Sequence, residues 1–173
     1  TTIILDDLEK QRFSILNFYE RRFRRILPAY VVMVLVSMVF AWLWMMPDEL
    51  RNFAQSAFAS SIFSSNFLFW TEAGYFLSGS AEKPLLHTWS LSVEEQFYVF
   101  FPLMLLALSH VRWYWTILTI ALVTVLSLSL SEYGWRYVPS ANFYLLPFRA
   151  WELCIGALGA IVLKTHGPRS NSL

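Results

Sequence analysis

The sequence predicts an all-α fold: a polytopic transmembrane helical bundle with an amphipathic cytoplasmic helix before the first complete span. Two observations carry this. The chain is 57% hydrophobic and only 14% charged, where a soluble domain has about 25% charged residues. Its charges are also clustered, with none at 26–47, 52–71, 96–109, 113–131 or 153–163. A helix needs about 20 mostly apolar residues to cross roughly 30 Å of hydrocarbon. Several gaps are that long, which makes this an integral membrane protein. The net charge of +1 matters less than its distribution.

Residues 6–25 are polar with helical periodicity, and Phe13, Leu16 and Phe18 alternate with charges. They predict an amphipathic helix at the membrane surface. Six of the 13 basic residues lie between Lys10 and Arg25, so the positive-inside rule puts this end in the cytoplasm. Residues 27–46 form the first span, with Pro28 allowed in its first turn. Residues 51–70 form a second, rich in Ala and Ser, which suit close helix packing. If both cross, the loop 71–90, with Gly74, Gly79 and Pro84, returns to the cytoplasm. Spans at 92–108, kinked at Pro102, at 113–130 and at 146–163 follow. His110-Val111-Arg112 is then an outer turn, 131–142 a loop containing Gly134, and 164–173 a polar tail.

The single cysteine, Cys154, excludes an internal disulfide and a cysteine-based metal site. The spacing of His, Asp and Glu suggests no metal site either, and a nucleic-acid surface does not fit these charges. No signal peptide is visible. The chain opens on TTIILDD, which reads as the end of an earlier apolar element, so a fragment of a longer protein is expected.

Three segments concentrate chemistry. In LHTWSLSVEEQFY, Ser92 and Glu95 fit a capping box, which explains Glu95 structurally but leaves Glu94 unexplained. Glu94 and Tyr98 share a helix face. His87, beside Trp89, Ser90 and the two carboxylates, has a setting that suits a general base, although a lone histidine is more often structural. In FYERRFRRILPAY, Arg21 and Arg25 lie four apart on one face. The arginines serve either topology and anionic lipid or phosphate recognition. In PFRAWE, Arg149 and Glu152 can pair within a helix; alternatively Arg149 faces a polar cavity and bridges to Glu94 or a ligand.

FYERRFRRILPAY, LHTWSLSVEEQFYVFFPLMLL and FYLLPFRAWELCIGALGA, in this order, resemble the acyltransferase-3 family of bacterial membrane O-acyltransferases. The likeness covers essentially the whole chain, as the central portion of one such membrane domain. It implies a multi-pass protein of the bacterial cytoplasmic (inner) membrane with no tightly bound cofactor. Such enzymes move an acyl group, commonly from acetyl-CoA, to carbohydrate of lipopolysaccharide, peptidoglycan or exopolysaccharide, and some carry an SGNH-type domain. It implies donor binding at Arg22 and Arg25, with Arg21 beside them. Glu94, Glu95 and a supporting His87 are the catalytic candidates, and Trp89, Ser90, Tyr98, Arg149 and Glu152 the cavity candidates. The family's Arg and His, ten residues apart in an earlier span, have no counterpart here, and His87 belongs to a different motif. A transporter with an intramembrane charged pathway and a purely structural bundle are the competing readings.

Overall fold

The computed structural model describes residues 1–10, 12–73, 83–109 and 111–166. The described residues form eight helices: α1 (Thr2–Glu9), α2 (Ile15–Trp44), α3 (Pro47–Ser61), α4 (Ser65–Ala73), α5 (Thr88–Leu108), α6 (Trp113–Tyr137), α7 (Pro139–Tyr144) and α8 (Leu146–His166). Four stretches are long and apolar enough to cross a membrane: α2, α5, α6, and α7–α8 taken together. The all-α membrane bundle is therefore observed. Gly74, Gly79, His110 and the tail beyond residue 166 lie outside the described residues.

The amphipathic segment and first span are not separate. Ser14 caps α2, its Oγ accepting from the Asn17 N–H at 3.4 Å, and the helix runs unbroken to Trp44. Pro28 therefore sits well inside a helix rather than in a first turn, and it withholds an N–H from the carbonyl of Arg24. The expected loop glycine Gly134 is helical and buried in α6. There it admits the Phe148 ring, since a Cβ would lie 2.6 Å from that ring. The expected span at 113–130 thus extends to Tyr137.

The expected second span, 51–70, is two helices. Pro47 opens α3, and the Glu49 carboxylate accepts from the Met46 N–H at 3.0 Å. Phe53, Ser56, Ala59 and Ser60 form its buried stripe. The helix ends in a Schellman-type cap: the Ser64 N–H reaches the Ala59 carbonyl (2.8 Å) and the Phe63 N–H that of Ser60 (3.1 Å). Phe63 takes the left-handed position, with φ 52°, although it is not glycine. The Gln96 side-chain amide donates to the Phe63 carbonyl at 2.9 Å. Periodicity and hydropathy cannot register this break, because Phe63 is apolar and the flanking serines suit helix packing.

The break reverses the chain. α3 descends beside α2: Tyr30 bonds Ser60 at 2.7 Å, and the Phe23 and Phe63 rings lie 6.3 Å apart. α4 then climbs back beside α5. Its buried Ser65 Oγ meets Ser92 Oγ at 2.8 Å and accepts from Thr88 Oγ1 at 3.0 Å. The pair enters from the end marked by Trp44 and returns to it, as a re-entrant hairpin.

This reverses the expected direction of α5. Tyr19 bonds the Val99 carbonyl, Arg22 pairs with Glu95, and Met33 meets His87, so α2 and α5 are antiparallel. The described part of 71–90 thus lies at the end opposite the arginines, not beside them. Val111 and Arg112 fall at the arginine end, not in an outer turn. Arg112 and Lys164 join the basic surplus there, which suits the positive-inside rule better than the expected topology did.

Two apolar clusters hold the bundle. Ile4 and Leu5 of α1 pack with Phe97, Phe101 and Leu105 of α5, Ile120 of α6, and Cys154, Ala157 and Ile161 of α8. Ala41, Phe53 and Leu85 join α2, α3 and the turn before α5. At the arginine end, Lys164 Nζ lies 2.7 Å from Asp6; its hydrogen bond holds that carboxyl below its ordinary range.

Two outcomes test this fold. In the full-length protein with Cys154 replaced by Ala, a single cysteine at Thr71 is labelled from the side opposite to one at Arg24; labelling from the same side contradicts the hairpin. Asn66 is fully buried, and its side chain donates to the Tyr144 carbonyl at 3.2 Å. Asn66→Leu leaves that carbonyl unpaired, and thermal denaturation should show a loss of about 1–3 kcal/mol.

Candidate functional site

The site forms where α2 meets α5. Tyr19 and Arg22 are three apart on one face of α2, and Glu95 and Tyr98 are three apart on one face of α5. Arg22 Nε lies 3.0 and 2.9 Å from the two Glu95 oxygens, and Nη2 lies 2.6 Å from Oε1. The guanidinium carbon sits 3.2 Å from the Tyr98 ring centroid. The Tyr19 hydroxyl donates to the Val99 carbonyl at 3.1 Å. The side chains of Arg22 and Glu95 are 20% and 9% exposed. Forked, stacked contact of this kind suits arginine and not lysine.

The capping-box expectation is overturned. α5 begins at Thr88 with His87 as its N-cap residue. Ser92 is thus in the second turn and bonds Ser65, while Glu95 turns toward Arg22. Glu94, about 100° around the helix, is exposed and makes no ion pair with a described residue. His87 is exposed, with Nε2 3.1 Å from Met33 Sδ. It lies about 10 Å along α5 from the two glutamates, so the structure does not gather His87 and the carboxylates. Ser90 is spent locally, its hydroxyl donating to the His87 carbonyl at 3.1 Å.

The arginine cluster divides by helical phase. Arg22 points into the bundle, whereas Arg21, Arg24 and Arg25 are exposed. Arg21 lies 3.5 Å from Asp7 and Arg24 lies 2.7 Å from Glu20. Arg21 and Arg24 line an open cavity of about 260 Å³ with Asn17 and Glu20.

Near the opposite end, Arg149 pairs with Glu152 through Nη2 at 3.0 and 2.9 Å, as the spacing suggested. Arg149 does not bridge to Glu94. Its guanidinium lies over Trp89, 5.0 Å from the ring centroid.

Between these groups runs a polar seam that the sequence reading missed. The Asn66 and Gln96 side-chain amides exchange hydrogen bonds, Gln96 Nε2 donating to Asn66 Oδ1 at 2.8 Å and Asn66 Nδ2 to Gln96 Oε1 at 3.4 Å. Together they hold the Phe63 carbonyl, where α3 breaks, and the Tyr144 carbonyl, where α7 ends. The available signal was an Asn and a Gln inside apolar helices, where lipid could satisfy neither amide.

Fold and site together define a polytopic membrane bundle with a largely buried ion pair locking its first crossing helix, α2, to the second, α5. Residues 3–171 match a family model described as an acyltransferase domain, and the chain belongs to this acyltransferase-3 family. A Haemophilus influenzae protein is 36% identical, covering 93% of this chain and 69% of its own length. The peptidoglycan O-acetyltransferase OatA of Listeria monocytogenes is 34% identical over 94% of this chain and 27% of its own. A Komagataeibacter xylinus protein named as a putative membrane-bound transacylase, BcsY, is 30% identical over 94% and 42%. The chain thus spans less than half the length of each of these last two relatives. No solved structure matches.

Removing either partner of the buried pair strands the other charge. Arg22→Ala and Glu95→Ala should each cost about 3–5 kcal/mol of stability. Arg22→Lys keeps the charge but loses the fork and the stacking, and should fall between them and the parent. Thermal denaturation of the purified full-length protein measures the order.

Proposed function

We propose that this chain is the part of a membrane O-acyltransferase that joins its donor-binding and acceptor-binding ends. The enzyme transfers an acyl group, acetyl in the simplest case, from cytoplasmic acyl-CoA to a hydroxyl of cell-surface carbohydrate in a bacterial inner membrane. The observation that carries this is the family match across residues 3–171; the name of the Listeria relative supports a carbohydrate acceptor.

The site suggests a division of labour. Arg21 and Arg25 are exposed at the arginine end and suit the phosphates of a CoA-type donor. Arg22 and Glu95 neutralise each other, so they act as positioning residues that fix α5 against α2. Glu94 and His87 remain as groups able to touch substrate. Acyl transfer requires a base for the acceptor hydroxyl and donors for the developing oxyanion, and the resemblance assigns the central Arg and His to a different span of the domain.

Labelled acetyl-CoA supplied to membranes holding the full-length protein should yield labelled surface glycan. Arg21→Ala and Arg25→Ala should each raise the KM for acetyl-CoA about tenfold or more, the worth of one charge-assisted contact. No label in glycan from the parent protein contradicts the enzyme reading; unchanged KM contradicts the donor assignment.

One observation favours a second reading. The chain is interrupted at Phe63 and again at Leu145, and Asn66 ties the two breaks together. Interrupted helices also mark transport paths. Solute movement without label transfer would establish that reading instead.

A further inference from the structure

The pairings that orient α5 also gather an aromatic group near the end opposite the arginines. The Trp89 ring lies 4.6 Å from Phe143 and 5.5 Å from Tyr144, and Phe143 and Tyr144 meet edge-on at 5.0 Å. Tyr144 is buried at 8% exposure, whereas Phe143 is 51% exposed, so the cluster has a rooted base and an open face. The Arg149 guanidinium lies 5.0 Å from the Trp89 centroid and 6.0 Å from that of Phe143. Glu152 engages only its Nη2 among the described residues, which leaves guanidinium donors and carboxylate lone pairs at the edge of an aromatic platform.

The platform is held rigidly. The Ser127 hydroxyl donates to the Pro147 carbonyl at 2.7 Å and accepts the Trp151 N–H at 3.0 Å, which fixes the first turn of α8 that carries Arg149. Asn66 anchors the Tyr144 carbonyl. Aromatic residues that only mark a membrane interface stay exposed, as Trp42 and Trp44 do at 76% and 77% exposure, Trp44 stacking only on its own helix neighbour Phe40. Trp89, Phe143 and Tyr144 instead converge under a charged pair.

From this we infer that Trp89, Phe143, Arg149 and Glu152 form a carbohydrate subsite, the place where the acceptor glycan docks. This rests on the acyltransferase reading above. A pyranose ring has an apolar C–H face that stacks on an aromatic plane and equatorial hydroxyls that pair with guanidinium and carboxylate groups. Aromatic walls with a few oriented polar groups are the general form of such sites. The half-exposed Phe143 ring offers the stacking plane, with Trp89 and Arg149 packed beside it; a cationic ligand is disfavoured by the Arg149 charge, and an anionic one meets the Glu152 carboxylate. On α7 next to Phe143, Asn142 lines an open cavity of about 690 Å³ with Ser131, Glu132 and Trp135, where further sugar units fit. Trp89 lies about 9 Å along α5 from Glu95, so the helix that carries the platform is the one the ion pair fixes.

The test uses the full-length protein in nanodiscs and chitotetraose, a β-linked N-acetylglucosamine tetrasaccharide, as the probe. Binding is followed by saturation-transfer NMR, and transfer by label from acetyl-CoA. The tetrasaccharide should bind the parent protein more tightly than the monosaccharide. Trp89→Ala and Arg149→Ala should weaken binding at least tenfold and raise the acceptor KM by a like factor, with the KM for acetyl-CoA unchanged. Trp89→Phe should recover much of the loss, and Trp44→Ala should change nothing. The inference is overturned if the parent does not bind the probe, if the Trp89 and Arg149 variants bind it like the parent, or if Trp44→Ala weakens binding equally. Probe binding that depends on Trp89 in a protein that transfers no acetyl group would sink the acyltransferase reading while leaving the subsite standing.

Discussion

A largely buried ion pair between Arg22 and Glu95 is the contact on which this arrangement depends. Its two members lie 73 positions apart in the sequence, and each would be prohibitively costly alone in an apolar bundle. Neutralising both requires α5 to lie against α2 in one register. The Tyr98 ring over the guanidinium and the Tyr19 hydroxyl on the Val99 carbonyl extend the contact by a turn. An ordinary apolar interface would tolerate sliding, whereas a forked ion pair does not.

That register is possible only because α3 and α4 do not cross. Had 51–70 been one helix, α5 would have started at the arginine end and run parallel to α2. The left-handed Phe63 turns the chain back, and Gln96 of α5 holds its carbonyl. Lock and turn are thus mutually dependent, since α5 supplies both the carboxylate and the amide. The same helix begins in the aromatic cluster around Trp89, so one rigid element links the arginine end, the ion pair and the proposed acceptor platform. In the proposed function this element joins the donor end to the acceptor end.

Much of this was legible in the residues. The charge-free runs 26–47 and 113–131 are long enough to mark α2 and α6, because hydrocarbon thickness is a strong constraint, whereas α5 and α8 showed as apolar stretches around the shorter runs 96–109 and 153–163. The Arg149–Glu152 pair followed from helical spacing. The motifs around Arg22 and Glu95 were recognisable, but their partnership was not, since nothing local in either segment records a contact between distant helices. The capping-box pattern drew Glu95 toward a local role that the earlier start of α5 removes. Phe63 carried no glycine or proline signal for its turn, so 51–70 read as one span. That error propagated, inverting the expected sidedness of every later element. The basic surplus at Arg112 and Lys164 was the available corrective.

The central claim is that Arg22 and Glu95 hold α2 and α5 together as a pair. Exchanging their charges tests this most directly, by the stability of full-length Arg22→Glu, Glu95→Arg and the combined variant. Each single reversal should place two like charges together and lose several kcal/mol. The exchange should recover a substantial part, giving a coupling energy well outside the few tenths expected of independent sites. Single reversals that are tolerated, or a combined loss equal to their sum, would contradict the account.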